Sequence, residues 1–268
     1  MKNNDVLLGK IKTKTALKAK TLKLYPAPLI DPFILPMNET SKTYSCCEHK
    51  FNMNIIVCPL GLPFGIYARL IISHFSHIEK FKYHQENIFE FRVARSTREL
   101  FKKITGGNIT TDMQKVFEEQ LSKVNNTYFS NKYNQELGCF TKLIGHLQKR
   151  GREYYYTPTG IYEDKLAKFT PIDIRVLQLC RLERQSFAPD LYIYLTKKLK
   201  YLKTGDIELN LHTMKDKIFN LHSDKSVGEF KIELKNSLNF LKKIFQQLEF
   251  EVRNETIIFK KCELLPAK

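Results

Sequence analysis

The sequence predicts an α+β fold, mainly helical, built as two tandem winged helix-turn-helix domains. One order of elements (helix, strand, short helix, long helix, β-hairpin) occurs twice along the 268 residues, with Pro63 and Pro189 at matching places. The strongest amphipathic period, at 227–247, falls where the second domain would carry the helix that enters a DNA groove. With 43% hydrophobic and 12% aromatic residues the chain can bury a sizeable core, which excludes wholesale disorder.

Residues 1–50 read as a basic, flexible N-terminal arm. Residues 1–24 are rich in Lys and Thr without an apolar period, and Pro26, Pro28, Pro32 and Pro36 impose an extended path, since proline fixes φ and lacks a donor. The first domain spans 51–160. It opens on FNMNIIVCPL, a buried strand or short helix, followed by a helix over 65–81 with Ile66, Leu70, Phe75, Ile78 and Phe81 on its apolar face and Arg69 off it. Phe89, Phe91 and Val93 alternate with polar residues as a strand. Ser96 and Glu99 form a capping box for a short helix that ends at Thr105-Gly106-Gly107. A longer helix from Thr111 turns Met113, Val116, Phe117, Leu121 and Val124 to one face, and 128–133, 140–147 and 154–156 read as short strands.

The second domain spans 161–268. Thr170-Pro171-Ile172-Asp173 opens a helix with proline at its first position. Pro189 precedes a longer helix carrying Leu191, Tyr194, Leu195, Leu199 and Leu202, and Gly205 ends it. A strand at 207–211 and a short helix at 213–219 lead to the helix at 227–247, whose apolar face is Phe230, Leu234, Leu238, Leu241, Phe245 and Leu248. Runs at 250–253 and 256–261 close the domain as a hairpin.

Against 28 Asp and Glu stand 44 Lys and Arg, a formal charge of +16. The excess is spread over the arm and both domains, so it clothes a folded body and points to a polyanionic partner, double-stranded DNA. On the helix at 227–247, Lys231, Lys235, Asn239 and Lys242 follow one another at steps of four, four and three, with Asn236 and Lys243 flanking them. Lysines suit phosphates and asparagine can read adenine bidentately, so the stripe can both position and specify. Further candidate DNA contacts are Arg175, Arg181 and Arg184 near one helix of the second domain, Lys115 and Lys123 on the long helix of the first, and Lys149, Arg150 and Arg152 on a turn where its wing tip would fall. Tyr154 to Tyr156 could stack on single-stranded bases.

Enzyme chemistry is not expected. No phosphate-binding Gly-rich motif occurs, and no His-x-His accompanies a catalytic tyrosine. The six Cys show no C-x-x-C pair, and Cys46, Cys47, His49 and Cys58 make a poor zinc set because adjacent cysteines fit tetrahedral geometry badly. No cofactor or metal is expected, no segment reaches the length of a membrane span, and a reduced, cytoplasmic bacterial protein is the simplest reading.

The segment GLPFGIYARLIISHF is similar to the P-x-G-x-x-A-R-L-L-L helix of plasmid replication initiators of the RepA and TrfA type. The resemblance continues through 96–100 and Thr105-Gly106-Gly107. It resumes at FTPIDIRVLQLCRLERQSFAPDLYIYLTKKL, with Tyr194 where that family has tryptophan. It implies an initiator that binds directly repeated iterons at a plasmid origin, helps open the adjacent A·T-rich duplex and recruits the host initiator and replicative helicase. It also implies plasmid copy control and a homodimer in equilibrium with an origin-competent monomer. It would place the principal iteron-reading helix at 227–247 and a second contact helix at 111–124. The latter carries Asp112, Glu118 and Glu119, so the first domain either reads DNA or dimerises. A winged-helix transcriptional repressor, acting on its own operon, would use the same surface.

Overall fold

Three strands open the computed structural model: β1 (Leu22–Pro26), β2 (Tyr44–His49) and β3 (Asn52–Val57). The structure describes residues 22–26, 35–36, 38–49, 52–82, 90–130, 140–158, 169–200, 205–219, 225–260, 262 and 264. The expected flexible arm is corrected where it is described: Leu22–Pro26 is strand with Tyr25 buried, Leu35 is buried, and from Tyr44 a second strand begins. There β2 pairs antiparallel with β3, from Tyr44 opposite Val57 to His49 opposite Asn52, so backbone groups of each strand find partners in the other. The Lys-rich run at 1–21 and the prolines at 28 and 32 lie outside the described residues. So do the side chains of Cys46, Cys47 and His49.

Helices and strands are mixed in an α+β architecture, and the chain divides into two units, one holding Leu35–Phe169 and the other Thr170–Lys268. The division falls nine residues after the expected boundary, beyond a stretch at 159–168 outside the described residues.

In the N-terminal unit, α1 (Gly65–Lys82) buries Ala68, Leu70, Ile71, Ile72 and Phe75. Arg69, expected off the apolar face, is fully buried. Its guanidinium donates to the carbonyl oxygens of Gly65 at 2.8 Å, Leu35 at 3.1 Å and Pro36 at 3.3 Å, which fixes the preceding segment against the helix. Next come β4 (Phe91–Ala94), α2 (Thr97–Thr105) and α3 (Thr111–Asn125). The Ser96 hydroxyl accepts the Glu99 N–H at 3.2 Å, while the Glu99 carboxylate accepts from the Arg95 N–H at 2.8 Å, one residue further back than in the expected box. Gly106 closes the helix at φ 71°, in the left-handed region that glycine tolerates.

Along α3 the buried stripe is Phe117, Gln120, Leu121 and Val124. Met113 and Val116, expected on that face, are exposed. Gln120 takes an inner position instead, where its side-chain carbonyl accepts the Phe64 N–H at 2.8 Å. Then follow β5 (Tyr128–Ser130), β6 (Thr141–Lys142), β7 (His146–Arg150) and β8 (Glu153–Thr157). Strands β2-β3-β5-β6 form one antiparallel sheet, and β4-β8-β7 a second in which the first strand bonds to the last. Phe101 meets Phe117 edge-on at 5.1 Å, and Phe75 stacks on Tyr156 at 4.7 Å. The Tyr156 hydroxyl donates to the buried Glu79 carboxylate at 2.6 Å and accepts the Gly145 N–H at 2.7 Å.

The C-terminal unit begins with β9 (Phe169–Asp173) and α4 (Ile174–Leu182). The expected helix start, with Pro171 at its first position, is corrected: residues 169–173 extend as strand and Asp173 is the cap, its carboxylate accepting the Arg175 N–H at 3.0 Å. Pro189 lies within the first turn of α5 (Ala188–Lys200), where a missing N–H removes no helical bond. Leu202 lies outside the described residues. After Gly205, at φ 83°, come β10 (Ile207–Asn210), α6 (Leu211–Thr213) continued by a π turn at Met214–Ile218, α7 (Val227–Ile244), β11 (Phe250–Val252) and β12 (Thr256–Phe259). The sheet order β10-β12-β11 again joins the first strand to the last, with Ile207 opposite Phe259. Phe230, Leu234, Leu238, Leu241, Phe245 and Leu248 are all buried, as their spacing predicts. Tyr192 stacks on Phe245 at 5.7 Å, and Phe187 meets Phe219 edge-on at 4.8 Å. Among the described residues no helix is long and apolar enough to cross a membrane.

Candidate nucleic-acid interface

The C-terminal unit displays α7 by burying one stripe of it and capping its start. Ser226 accepts the Glu229 N–H at 3.2 Å, and the Glu229 carboxylate accepts the Ser226 N–H at 2.8 Å, a reciprocal capping box. That backbone N–H, with the Ser226 hydroxyl second, holds the Glu229 carboxyl below its ordinary range.

Opposite the buried stripe, Ile232, Lys235, Asn236, Asn239, Lys242 and Lys243 are exposed. Lys231 lies at the margin and donates to the Asn254 carbonyl oxygen at 3.3 Å, tying the helix to the tip of the β11–β12 hairpin. Lys242 Nζ sits 5.7 Å over the Phe250 ring. Among the described residues Lys235 and Lys243 have no ion-pair partner, and the acids flanking this face along the helix are engaged elsewhere, Glu233 with Lys225 at 2.6 Å and Glu229 in the cap with Ser226. The face therefore presents cations together with two amide side chains. That combination suits phosphate and base-edge contact.

Arg175 does not join this face. It is buried and paired with Asp173 at 2.7 Å, so it holds the start of α4, and the expectation of a DNA contact there is corrected. Arg184 adopts φ 52° just after α4, a turn conformation outside the helix.

The N-terminal unit looks different at the corresponding elements. Lys115 is exposed on α3 beside Asp112, Met113 and Val116. Lys123 is buried against the Phe64 ring at 4.9 Å and paired with Glu119 at 2.6 Å, which removes it as a DNA contact. On the β7–β8 hairpin, Lys149 pairs with Glu118 at 3.1 Å, and both Arg150 terminal nitrogens reach Glu90, at 2.8 and 2.7 Å. Burial pushes the Glu118 carboxyl up, but bonds from Thr97 and Lys149 outweigh it and hold the group low. Arg92 pairs with Glu153 at 2.6 Å and Lys103 with Glu99 at 2.7 Å. Arg152, exposed on the turn beside Gly151 at φ 61°, completes the predicted tip. Tyr154 and Tyr156 are buried, so the expectation that residues 154–156 stack on single-stranded bases is corrected for those two, while Tyr155 is half-buried with its ring 4.9 Å from the Arg150 guanidinium. Cys58 is also buried, its thiol donating to the Lys123 carbonyl oxygen at 3.3 Å.

Arg92, Lys103, Lys123, Lys149 and Arg150 of the N-terminal unit are thus ion-paired, whereas Lys235 and Lys243 of α7 are not, among the described residues. Sequence reasoning missed Ile232, which is 64% exposed at the N-terminal end of the α7 face. The available signal was its place one turn before Asn236 and off the apolar stripe.

No protein-family model matches the sequence, and no curated protein matches it. Among solved structures, crystals of selenomethionine domains 2 and 3 of RctB superpose with a TM-score of 0.54 at 10% identity, over 88% of this chain and 99% of that one. The chain shares the fold of those two domains. A second crystal structure of RctB domains 2–3 gives a TM-score of 0.47 at 11% identity, over 88% of this chain and 97% of that one.

Proposed function

We propose that this protein is a plasmid replication initiator whose two units are winged helices and whose helix α7 binds double-stranded DNA at directly repeated iterons. The observation that carries the reading is the α7 face, where Lys235, Asn236, Asn239, Lys242 and Lys243 are exposed opposite a buried stripe. The strand orders β4-β8-β7 and β10-β12-β11, each with two helices between its first strand and its closing hairpin, support the winged-helix assignment. The sequence resemblance to the RepA and TrfA type supports the initiator assignment, and the fold is shared with RctB domains 2 and 3. The action is binding rather than catalysis and needs no cofactor. Bound copies distort and open the neighbouring A·T-rich duplex in the cytoplasm, and the host initiator and replicative helicase load there. The N-terminal unit, where Lys149 and Arg150 of the β7–β8 hairpin are held in ion pairs, serves the exchange between homodimer and origin-competent monomer.

Footprinting of the purified protein on DNA flanking its own coding sequence, at about 0.15 M salt to suppress non-specific binding, tests the proposal. Several phased protected repeats beside an A·T-rich stretch are expected. A single protected inverted repeat would instead establish a dimeric repressor, whose site mirrors its two-fold axis.

Two substitutions on α7 separate positioning from reading. Lys235→Ala should weaken binding to every duplex alike and flatten the slope of log K against log salt by about one, the share of one phosphate contact. Titrations at several salt concentrations measure this, and an unchanged slope removes Lys235 from the interface. Asn239→Ala should cost about 1 to 3 kcal/mol on the cognate site only. Equal losses on random DNA would contradict base reading by Asn239.

A further inference from the structure

Ile232 interrupts an otherwise polar face. It is 64% exposed, the most exposed large apolar side chain among the described residues, and it sits between Lys231 and Lys235 rather than at the edge of the core. A β-branched residue is not a favoured choice for a solvated helix position, because its χ1 freedom is restricted there. Asn236 is one turn on and Asn239 almost one turn further, so all three project to the same side of α7. A helix rises about 1.5 Å per residue, which puts Asn236 roughly 6 Å and Asn239 roughly 10 Å along the axis from Ile232. Base pairs in B-DNA are about 3.4 Å apart, so these side chains span roughly three base steps.

The major groove offers two features that match this trio. The thymine C5-methyl is its characteristic apolar group, and the adenine N6/N7 edge is the one an asparagine amide meets with two hydrogen bonds. We propose that α7 specifies A·T pairs directly, with Ile232 packing on a thymine methyl and Asn236 and Asn239 engaging adenine edges within about three base pairs of it. The inference rests on the DNA-binding reading above and adds to it the identity of the bases read and a specificity residue. Gly228 extends the same side by one turn toward the start of the helix. Its position needs no glycine for internal reasons, since an added Cβ would meet only the Ser226 hydroxyl at 3.9 Å. The glycine leaves room there for a close backbone approach.

The full chain is used to select binding sites from a randomised duplex library at about 0.15 M salt. Each thymine of the selected site is then replaced by deoxyuridine, which removes only the C5-methyl. For the unaltered protein, one thymine position should lose about fourfold in affinity, the worth of one buried methyl. For Ile232→Ala that position should become indifferent to the replacement, while Ile232→Val keeps part of the effect. Because Ile232 is exposed, these variants fold as the parent does. A site whose selection and uracil sensitivity are unchanged by Ile232→Ala overturns the inference but leaves the DNA-binding reading standing. A selected site lacking A·T pairs at this spacing overturns it too. Failure to select any sequence, with a salt slope untouched by Lys235→Ala, overturns both.

Discussion

Asp173→Ala should destabilise the C-terminal unit by about 3 to 5 kcal/mol, the usual loss when one member of a buried ion pair is removed. The Asp173 side chain is completely buried and does two things at once. It caps α4 by accepting the Arg175 N–H at 3.0 Å, and its carboxylate accepts from the Arg175 guanidinium at 2.7 Å and, through Nε, at 3.0 Å. Its own backbone N–H donates to the Tyr192 hydroxyl at 2.7 Å, and Tyr192 in turn stacks on Phe245. Burial first, and the Asp173 charge second, push the Tyr192 phenol above its ordinary value, so it stays neutral at this junction. Removing the carboxylate takes away the charge that balances a guanidinium in an apolar setting. The loss can be apportioned: Asp173→Ala with Arg175→Met removes both charges and should recover all but the cap, which accounts for about 1 kcal/mol. Urea unfolding followed by circular dichroism and tyrosine fluorescence measures both, the chain having no Trp to interfere. A double variant no more stable than the single one would show that the penalty is packing and not charge.

That junction also marks what a sequence can and cannot disclose. The apolar stripe of α7 was legible because a helical period is local: Phe230, Leu234, Leu238 and Leu241 are buried, and so are Phe245 and Leu248, although the helix ends at Ile244 rather than 247. The mixed architecture followed from the same kind of signal, and so did the start of α2 at Ser96. Charged side chains were misread wherever their partner was not on the page as a pattern. Arg175 and Lys123 had local clues, Asp173 two residues before and Glu119 four before, that outweighed their appearance as free cations. Arg69 had none, since two of the carbonyls it serves are at Leu35 and Pro36, more than 30 residues earlier. The strand Tyr44–His49 was hidden because neither Gly nor Asn-Gly marks the reversal into Asn52–Val57, and the prolines upstream dominated the reading of that region. Ile232 escaped for the opposite reason: an apolar residue off the stripe carries no weight in a periodicity argument, although its exposure on α7 is what the proposed thymine contact rests on.

Gly145→Ala should be similarly severe in the N-terminal unit, for steric rather than electrostatic reasons. A Cβ on residue 145 would overlap the Glu79 carboxylate and the Thr157 carbonyl oxygen and would lie 2.8 Å from the Tyr156 hydroxyl. Two of these are held in place, the carbonyl by the backbone of β8 and the hydroxyl by its 2.6 Å bond to Glu79. The added methyl must therefore push the β7–β8 hairpin away from α1, with an expected loss of about 3 kcal/mol, the upper part of the range for overpacking. Tyr156→Phe in the same chain removes one obstacle and leaves the carbonyl, so it should not restore stability; full recovery would contradict the geometry. The variant also bears on what the N-terminal unit does. If it binds a single iteron with the parental salt slope but fills tandem repeats poorly, the unit acts between copies of the protein. A slope that falls along with its stability would instead bring Lys115 and Arg152, the exposed cations of α3 and the hairpin tip, into the DNA contact.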